Sequence, residues 1–477
     1  MFLIIVRAVK PYLSKFIGGV FQLEKQIHLN GFVQNSPSPH SMGLWKHEKD
    51  KGAFHNRIHY WTETAQVLER GKFDAVFIAD VLGTYSVYGS NHDAAIKHAV
   101  QLPAHDPLMP IAAMAAVTKH IGFAPTISAT YAQPYALARQ LSTLDHLTEG
   151  RIAWNVVTSY LESEAINLGL SGRLPKNLRY DRADEFLEVV YKLWEHSWED
   201  EAVVYDKETD TFADPKKVHT IDHTGEFYHV PGPHLTEPSP QRTPVLFQAG
   251  ASSRGRDFAA KHAEAVFTKG HSLEAMKNYA ADIRKRAVEQ GRNATDIRIF
   301  PMVLPIIGST EEEAFAKYEK LKSLVSYEGT AALLSGHTGI DLSKYNPDQY
   351  LDDMETEAVQ GNLDMYTKDP QKRWTLREAL QNHGLGNGTA KFIGTPEQIA
   401  NKLQKWAVEA NVDGFNIAQS YSLETFREFV DHVVPELQRR GIYRTDYEGN
   451  TLRENLFETK SPYLPNNHPA RKLKLHV

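Results

Sequence analysis

Four stretches turn polar where apolar runs end, as expected of a site built at the edge of a sheet. Gly150-Arg-Ile-Ala-Trp-Asn-Val-Val-Thr-Ser159 turns polar at Asn155, Thr158 and Ser159. Lys72-Phe-Asp-Ala-Val-Phe-Ile-Ala-Asp80 ends in an acid, which could position a cofactor or cap a turn. Ile121 to Thr130 again ends in hydroxyls. Gln248-Ala-Gly-Ala-Ser-Ser-Arg-Gly-Arg256 follows a strand-like run and opens a helix. Its Gly250-x-x-x-x-Gly255 has the outline of a phosphate loop, but Arg256-Asp257 stands where a nucleoside-triphosphate site needs Lys-Ser/Thr. A phosphate monoester fits better, held by free amides at a helix start with Ser252 or Ser253 as cap. An ordinary N-cap turn accounts for the same residues.

His337, in Ser335-Gly-His-Thr-Gly-Ile-Asp-Leu342, lies in a Gly-bounded loop where a catalytic imidazole would be well placed, or where backbone simply holds it. His219, His223 and His229 fall in a loop or hairpin without an acidic companion motif and read as polar surface, not a metal site. No G-x-G-x-x-G follows a strand, and neither H-E-x-x-H nor G-x-S-x-G occurs, so a Rossmann dinucleotide site is not expected. The absence of cysteine excludes disulfides, thiolate metal sites and a Cys nucleophile, and fits a reducing, cytoplasmic compartment.

The elements that must position these residues alternate. Strand-like runs at Ile27–Val33, Lys72–Asp80, Ile121–Thr130, Ile152–Val157, Pro244–Gly250, Ala265–Thr268, Ile297–Gly308 and Asp413–Gln419 are separated by helical stretches, among them Tyr60–Arg70, Pro134–Leu147, Tyr180–Trp194 and Ser253–Ala263. Eight strands with the pattern of a sheet covered on both faces predict an α/β fold, a single (β/α)8 TIM barrel over about 26–442. A doubly wound open sheet is the structural alternative. Two irregular regions, about 195–240 and 327–390, read as long insertions on the side where strands lead into helices. Residues 1–25 form an N-terminal extension, disordered or targeting, and 443–477 a C-terminal tail.

With 477 residues and 42% apolar content the chain can bury a large core. A formal net charge of −6 gives no footprint for nucleic acid or a basic membrane surface. The run Phe2–Val6 is too short to span a bilayer.

Taken together, Lys72–Asp80, Ser142–Thr158, Arg179-Tyr-Asp-Arg-Ala-Asp-Glu-Phe186, Gln248-Ala-Gly250 and Gly394-Thr-Pro-Glu-Gln398 resemble the bacterial luciferase-like flavin monooxygenase superfamily, in the branch holding nitrilotriacetate, dibenzothiophene-sulfone and long-chain alkane monooxygenases. The likeness covers about Ile27 to Tyr447. It looks greatest to the alkane-oxidising members, through Asn155–Ser159, Gly232–Leu235, Glu237–Pro244 and Arg439–Tyr447. The resemblance implies reduced FMN as a diffusible cosubstrate from a separate NAD(P)H:flavin reductase, reaction with O2 at flavin C4a through a (hydro)peroxide, and oxygenation of an apolar or sulfur-containing small molecule. By motif match it implies Asp80, Thr126, Ser128 and Thr158 at the isoalloxazine and ribityl, and Tyr180, Ala251 and Ser252 at the phosphate. Tyr85, Gln101 and Tyr160 would face the substrate, with Tyr160 where the alkane enzymes have His, and His337 would join them. Ser36 stands where those enzymes carry a cysteine, and Lys176 is placed to substitute for a histidine of the family. A homo-oligomer is expected of such a barrel. A deazaflavin-dependent oxidoreductase and a non-catalytic flavin-binding protein are the alternatives on the same fold.

Overall fold

Eight strands, β1 His28–Gln34, β2 Ala75–Ala79, β3 Gly122–Ser128, β4 Ala153–Val157, β5 Val245–Gln248, β6 Ala265–Lys269, β7 Arg298–Ile307 and β8 Gly414–Ile417, pair in chain order, each parallel to the next, and β8 returns to β1. The sheet is therefore a closed barrel. This computed structural model describes residues 15–17, 20–22, 26–38, 40–353, 363–367 and 372–473.

Side-chain alternation divides each strand between two environments. Phe32, Ala75, Phe77, Ala124, Ala153, Phe247, Ala265, Phe300 and Met302 form one buried cluster inside the barrel. Leu29, Val76, Phe123, Trp154, Leu246, Val266, Ile299 and Phe415 form another between barrel and helices. Small and large residues alternate within the interior layer, as filling a tapered volume requires. Asn30 and Asn416 are also turned inward and pair, Nδ2 donating to Oδ1 at 2.9 Å.

The helices around the barrel include α1 Ile58–Arg70, α2 Pro134–Leu147, α3 Lys176–Tyr191, α4 Ser253–His262 and α5 Tyr327–Thr338. Proline opens α2 at its first position, and Gly150, at φ +84°, closes it by donating its N–H to the Asp145 carbonyl at 2.8 Å. Thr395 and Gln398 form a full capping box before the helix Pro396–Glu409.

Three sequence expectations need correction. The 195–240 region connects α3 to β5, so it lies where a helix leads into a strand; it holds two hairpins, Val203–Asp206 with Thr211–Ala213 and His223–Thr224 with His229–Val230. The 327–390 region is substantially helical, with α5 and a helix at Leu376–Gly384, and it leads into a further strand, Ala390–Gly394, which takes over the edge of β7 from Val303 where β6 leaves off at Met302. His337 accordingly sits in the last turn of α5, not in a loop. Gly336 suggested a loop, but it serves a close approach: a Cβ there would stand 2.3 Å from the Tyr85 ring.

The tail is part of the barrel. The helix Leu452–Phe457 places Leu452 and Leu456 in the interior cluster, and Leu452 N–H donates to the Gly150 carbonyl at 2.9 Å. A Cβ on Gly122, at the start of β3, would meet Leu452 at 2.7 Å, so the tail closes the end where strands begin. Arg453, fully buried, forms a two-pronged ion pair with Glu264 at 2.7 and 2.8 Å. Of the expected extension 1–25, Lys15–Ile17 and Val20–Gln22 pair antiparallel and the rest lies outside the described residues. No helix among the described residues is long and apolar enough to cross a membrane.

Candidate functional site

The C-terminal ends of β2 to β5, the start of α3, the loop leading into α4 and the last turn of α5 enclose a cavity of about 890 Å3. That volume lies within the roughly 300–1,000 Å3 of small-molecule sites, at the barrel face where catalytic loops gather. Asp80, Thr126, Ser128, Thr158, Tyr160, Tyr180, Ala251, Ser252 and His337 all line it. Tyr85 and Gln101 reach it through Tyr160: the Tyr85 hydroxyl bonds Gln101 Oε1 at 2.7 Å and the Tyr160 hydroxyl at 2.6 Å. The His337 ring packs against both tyrosines, with centroids 5.4 Å from Tyr160 and 6.0 Å from Tyr85.

Arg179 ties down the end of β4, a role the sequence did not reveal. The Thr158 carbonyl accepts from Thr130 Oγ1 at 2.9 Å and from Arg179 Nη1 at 3.0 Å, and Arg179 also donates to the Ser159 carbonyl. Ser159 is held at φ +57°, a conformation that is uncommon for a residue with a side chain, and its hydroxyl donates to Ser128 Oγ at 2.8 Å. These bonds set the chain direction from Thr158 to Tyr160. One row below, Asn155 Nδ2 donates to Thr126 Oγ1 at 2.8 Å.

At the loop after β5, Ser252 caps α4, its hydroxyl accepting the Gly255 N–H at 3.2 Å. The first turn of a helix leaves amides without intrahelical partners, and its dipole favours an anion. Tyr180 closes over this turn: a Cβ on Gly255 would stand 2.6 Å from the Tyr180 hydroxyl. Arg254 is paired with Asp181 and Asp184, and Arg256 with Asp282, whereas exposed Lys176 lines the cavity.

The electrostatics divide the wall. Burial pushes the Asp80 carboxyl up to about 7, with Asp106 and Glu164 adding to the rise. Burial also raises Glu164, whose Oε1 accepts the Leu82 N–H at 3.0 Å while Oε2 is buried without a partner. Nothing in the sequence separates Glu164 from an ordinary acid at a helix start. His337 is drawn down to about 3 by burial, with the Lys269 ammonium adding to the fall, so the imidazole is neutral at pH 7. Burial raises both Tyr85 and Tyr160, which keeps them protonated. With Tyr85 donating to Gln101 and Tyr160 to Tyr85, the Tyr160 oxygen is left as an acceptor.

The FMN implied by the sequence resemblance fits these residues. The cavity has an amide-rich helix start and a cation for a phosphate, and the Glu164, Arg179 and Tyr131 side chains that line it carry buried polar atoms without partners. Ser36 Oγ is likewise buried and unpartnered at the end of β1. No group of three or more metal-ligating side chains occurs among the described residues; His219 pairs with Glu199, His223 with Glu185 and His229 with Thr224.

Residues 32–414 match the family described as Luciferase-like monooxygenase. The long-chain alkane monooxygenase of Geobacillus thermodenitrificans is 48% identical over 452 residues, 95% of this chain and 99% of that protein. The dimethyl-sulfide monooxygenase of Hyphomicrobium sulfonivorans is 45% identical over 453 residues, 95% of this chain and 94% of that protein. The crystal structure of DmoA from Hyphomicrobium sulfonivorans superposes with a TM-score of 0.90 at 46% identity, covering 94% of this chain and 95% of that one.

Proposed function

The chain belongs to the luciferase-like monooxygenase family, and from that premise we propose that it is the oxygenating component of a two-component system dependent on FMNH2 and O2, acting on an apolar or sulfur-containing small molecule of the alkane or sulfone type. Members of the family use FMNH2, and its two-component members imply a flavin reductase as partner. The observation that carries the reading is the single cavity at the β-strand ends that joins an anion-binding helix start to a neutral Tyr–Tyr–His wall.

Reduced FMN supplies the electrons with which O2 is activated. Thr126, Ser128, Thr158 and Asp80 orient its ring and ribityl, and Tyr180, Ala251, Ser252 and Lys176 hold its phosphate. The Tyr160 oxygen faces the cavity as a hydrogen-bond acceptor, its own proton held toward Tyr85. His337 and the tyrosines, all uncharged at pH 7, add no ion of their own to that side of the cavity.

The reading is tested by supplying FMN, NADH, a flavin reductase and 18O2 with a panel of long alkanes, thioethers and sulfones. Incorporation of one 18O atom into a product is expected; reduced FMN binding without labelled product across the panel would overturn it.

Two further results are expected at the cofactor end. Ser252→Asp keeps the N-cap but sets a negative charge where the phosphate is placed, so FMN affinity should fall tenfold or more, about 1.4 kcal/mol, with riboflavin affinity little changed. Fluorescence titration with the two flavins decides it, since an equal loss for both would remove the phosphate from this turn. At Asp80, a carboxyl that titrates near 7 in the folded protein and near its ordinary value in the unfolded chain makes the native state bind the extra proton between those values. Stability should therefore fall as pH rises toward 7, and Asp80→Asn should abolish that part of the fall. Thermal melts at pH 5 and pH 8 check the sign: the variant should gain on wild type at pH 8.

A further inference from the structure

Two loops that close the cavity are laid against each other. Ser163 Oγ accepts the Thr84 N–H at 2.9 Å and donates to the Thr84 carbonyl at 2.8 Å, and Glu164 Oε1 accepts the Leu82 N–H at 3.0 Å. The approach is close, since a Cβ on Gly83 would stand 2.7 Å from the Ser163 and Glu164 side chains. Leu168 follows one turn after Glu164 on the helix Glu162–Asn167, its N–H donating to the Glu164 carbonyl at 3.1 Å. Leu82 and Leu168 are thus brought to either side of Glu164, and all three line the cavity.

Glu164 is buried, whereas Leu82 keeps 54% and Leu168 47% of its surface exposed. A side chain that lines a cavity and is half in solvent stands at its mouth. Leu108 also lines the cavity, in a turn held by Asp106 Oδ1, which accepts the Leu108 N–H at 2.7 Å. Ile166 and Leu170, two residues before and after Leu168, are exposed too. A single exposed leucine calls for no explanation, but apolar side chains gathered on the rim of a cavity mark a surface that a ligand covers. A compact substrate seated beside Tyr160 leaves this rim wet. A chain that starts there and runs outward covers it. The helix between Tyr160 and Leu168 has six residues and rises roughly 9 Å, the reach of several methylenes.

We infer that Leu82 and Leu168 are specificity residues for chain length, and that the substrate carries an unbranched alkyl chain whose far end lies against them at the cavity mouth. The inference rests on the monooxygenase reading and narrows its substrate from any apolar or sulfur-containing molecule to one with such a chain. Each methylene that leaves water for this rim contributes ~0.8 kcal/mol, about fourfold in affinity.

Isothermal titration of the full chain, with and without FMN, against 1-hexanol, 1-octanol and 1-decanol tests it, the hydroxyl giving each probe a donor for the Tyr160 oxygen. Wild type should tighten about fourfold per methylene through decanol. Leu82→Ser combined with Leu168→Ser should lower the decanol-to-hexanol affinity ratio at least tenfold, and Leu82→Met with Leu168→Met, which keeps the rim apolar, should preserve it. A wild-type series that stops tightening at hexanol would overturn the inference, as would an unchanged ratio in the serine variant. In the latter case, turnover lost with reductase-supplied FMNH2 but kept with photochemically reduced FMN would assign the rim to the reductase, and an altered sedimentation coefficient would assign it to a second copy of the chain. The two readings fail separately: 18O-labelled product without chain-length dependence sinks this one alone, and chain-length dependence without labelled product sinks the monooxygenase reading alone.

Discussion

Replacing Tyr160 with Phe should cut oxygenated product by about 100-fold while reduced flavin continues to be consumed, the electrons appearing as hydrogen peroxide. A positioned hydroxyl that accepts or passes a proton contributes on the order of 10²–10⁴ in rate, and the Tyr160 hydroxyl connects the cavity to the Tyr85–Gln101 pair by a hydrogen bond. The substitution removes one oxygen and leaves the ring against His337, so the cavity keeps its shape. The buried hydrogen bond it deletes contributes about 1 kcal/mol, too little to unfold the barrel. His337→Ala should uncouple in the same direction. Product and peroxide measured per NADH consumed decide the matter: Tyr160→Phe within threefold of wild type would remove Tyr160 from the chemistry.

The largest effect on stability is expected at Arg453. Its guanidinium joins both oxygens of Glu264, the Thr243 carbonyl at 2.9 Å and the Pro462 carbonyl at 2.5 Å, and its backbone N–H donates to Gln241 Oε1 at 3.2 Å. Gln241 in turn donates to Asp145 Oδ1 at 2.7 Å and to the Ile152 carbonyl at 2.8 Å. Removing one partner leaves a buried charge uncompensated, so Arg453→Met should cost about 3–5 kcal/mol. Glu264→Gln added to Arg453→Met should recover part of the loss, since it removes the stranded carboxylate. Thermal and denaturant melts of the single and double variants measure this; a single-variant loss under about 1 kcal/mol would show that the tail does not secure the barrel.

The strand order was legible because Ile152–Val157 and its counterparts form short, largely apolar runs, the pattern of parallel strands covered on both faces. The hydroxyls of Thr126, Ser128 and Thr158 were legible as a site because they follow those runs directly. His337 was misread as a loop residue because Gly336 and Gly339 carry the signature of a turn; one admits the Tyr85 ring and the other, at φ +75°, ends the helix. Lys269 ends β6 one residue beyond the Thr268 that the apolar run predicts, and a lone lysine after a strand looks solvated until the barrel closes around it. The tail was opaque for a related reason. Leu452, Arg453 and Leu456 have the spacing of any short amphipathic turn, and only the closed barrel supplies the opening they fill.

The tail also orders the events of synthesis. A chain leaving the ribosome from its N-terminus offers β1 long before β8, its neighbour in the sheet, and the helix that fills the barrel's lower end comes later still. Until residue 457 has emerged, Glu264, Gly122 and the interior faces of the early strands lack their final cover. For most of translation the early strands therefore lack the partner that closes their sheet and the helix that covers their apolar interior, the features that make incomplete folds prone to association.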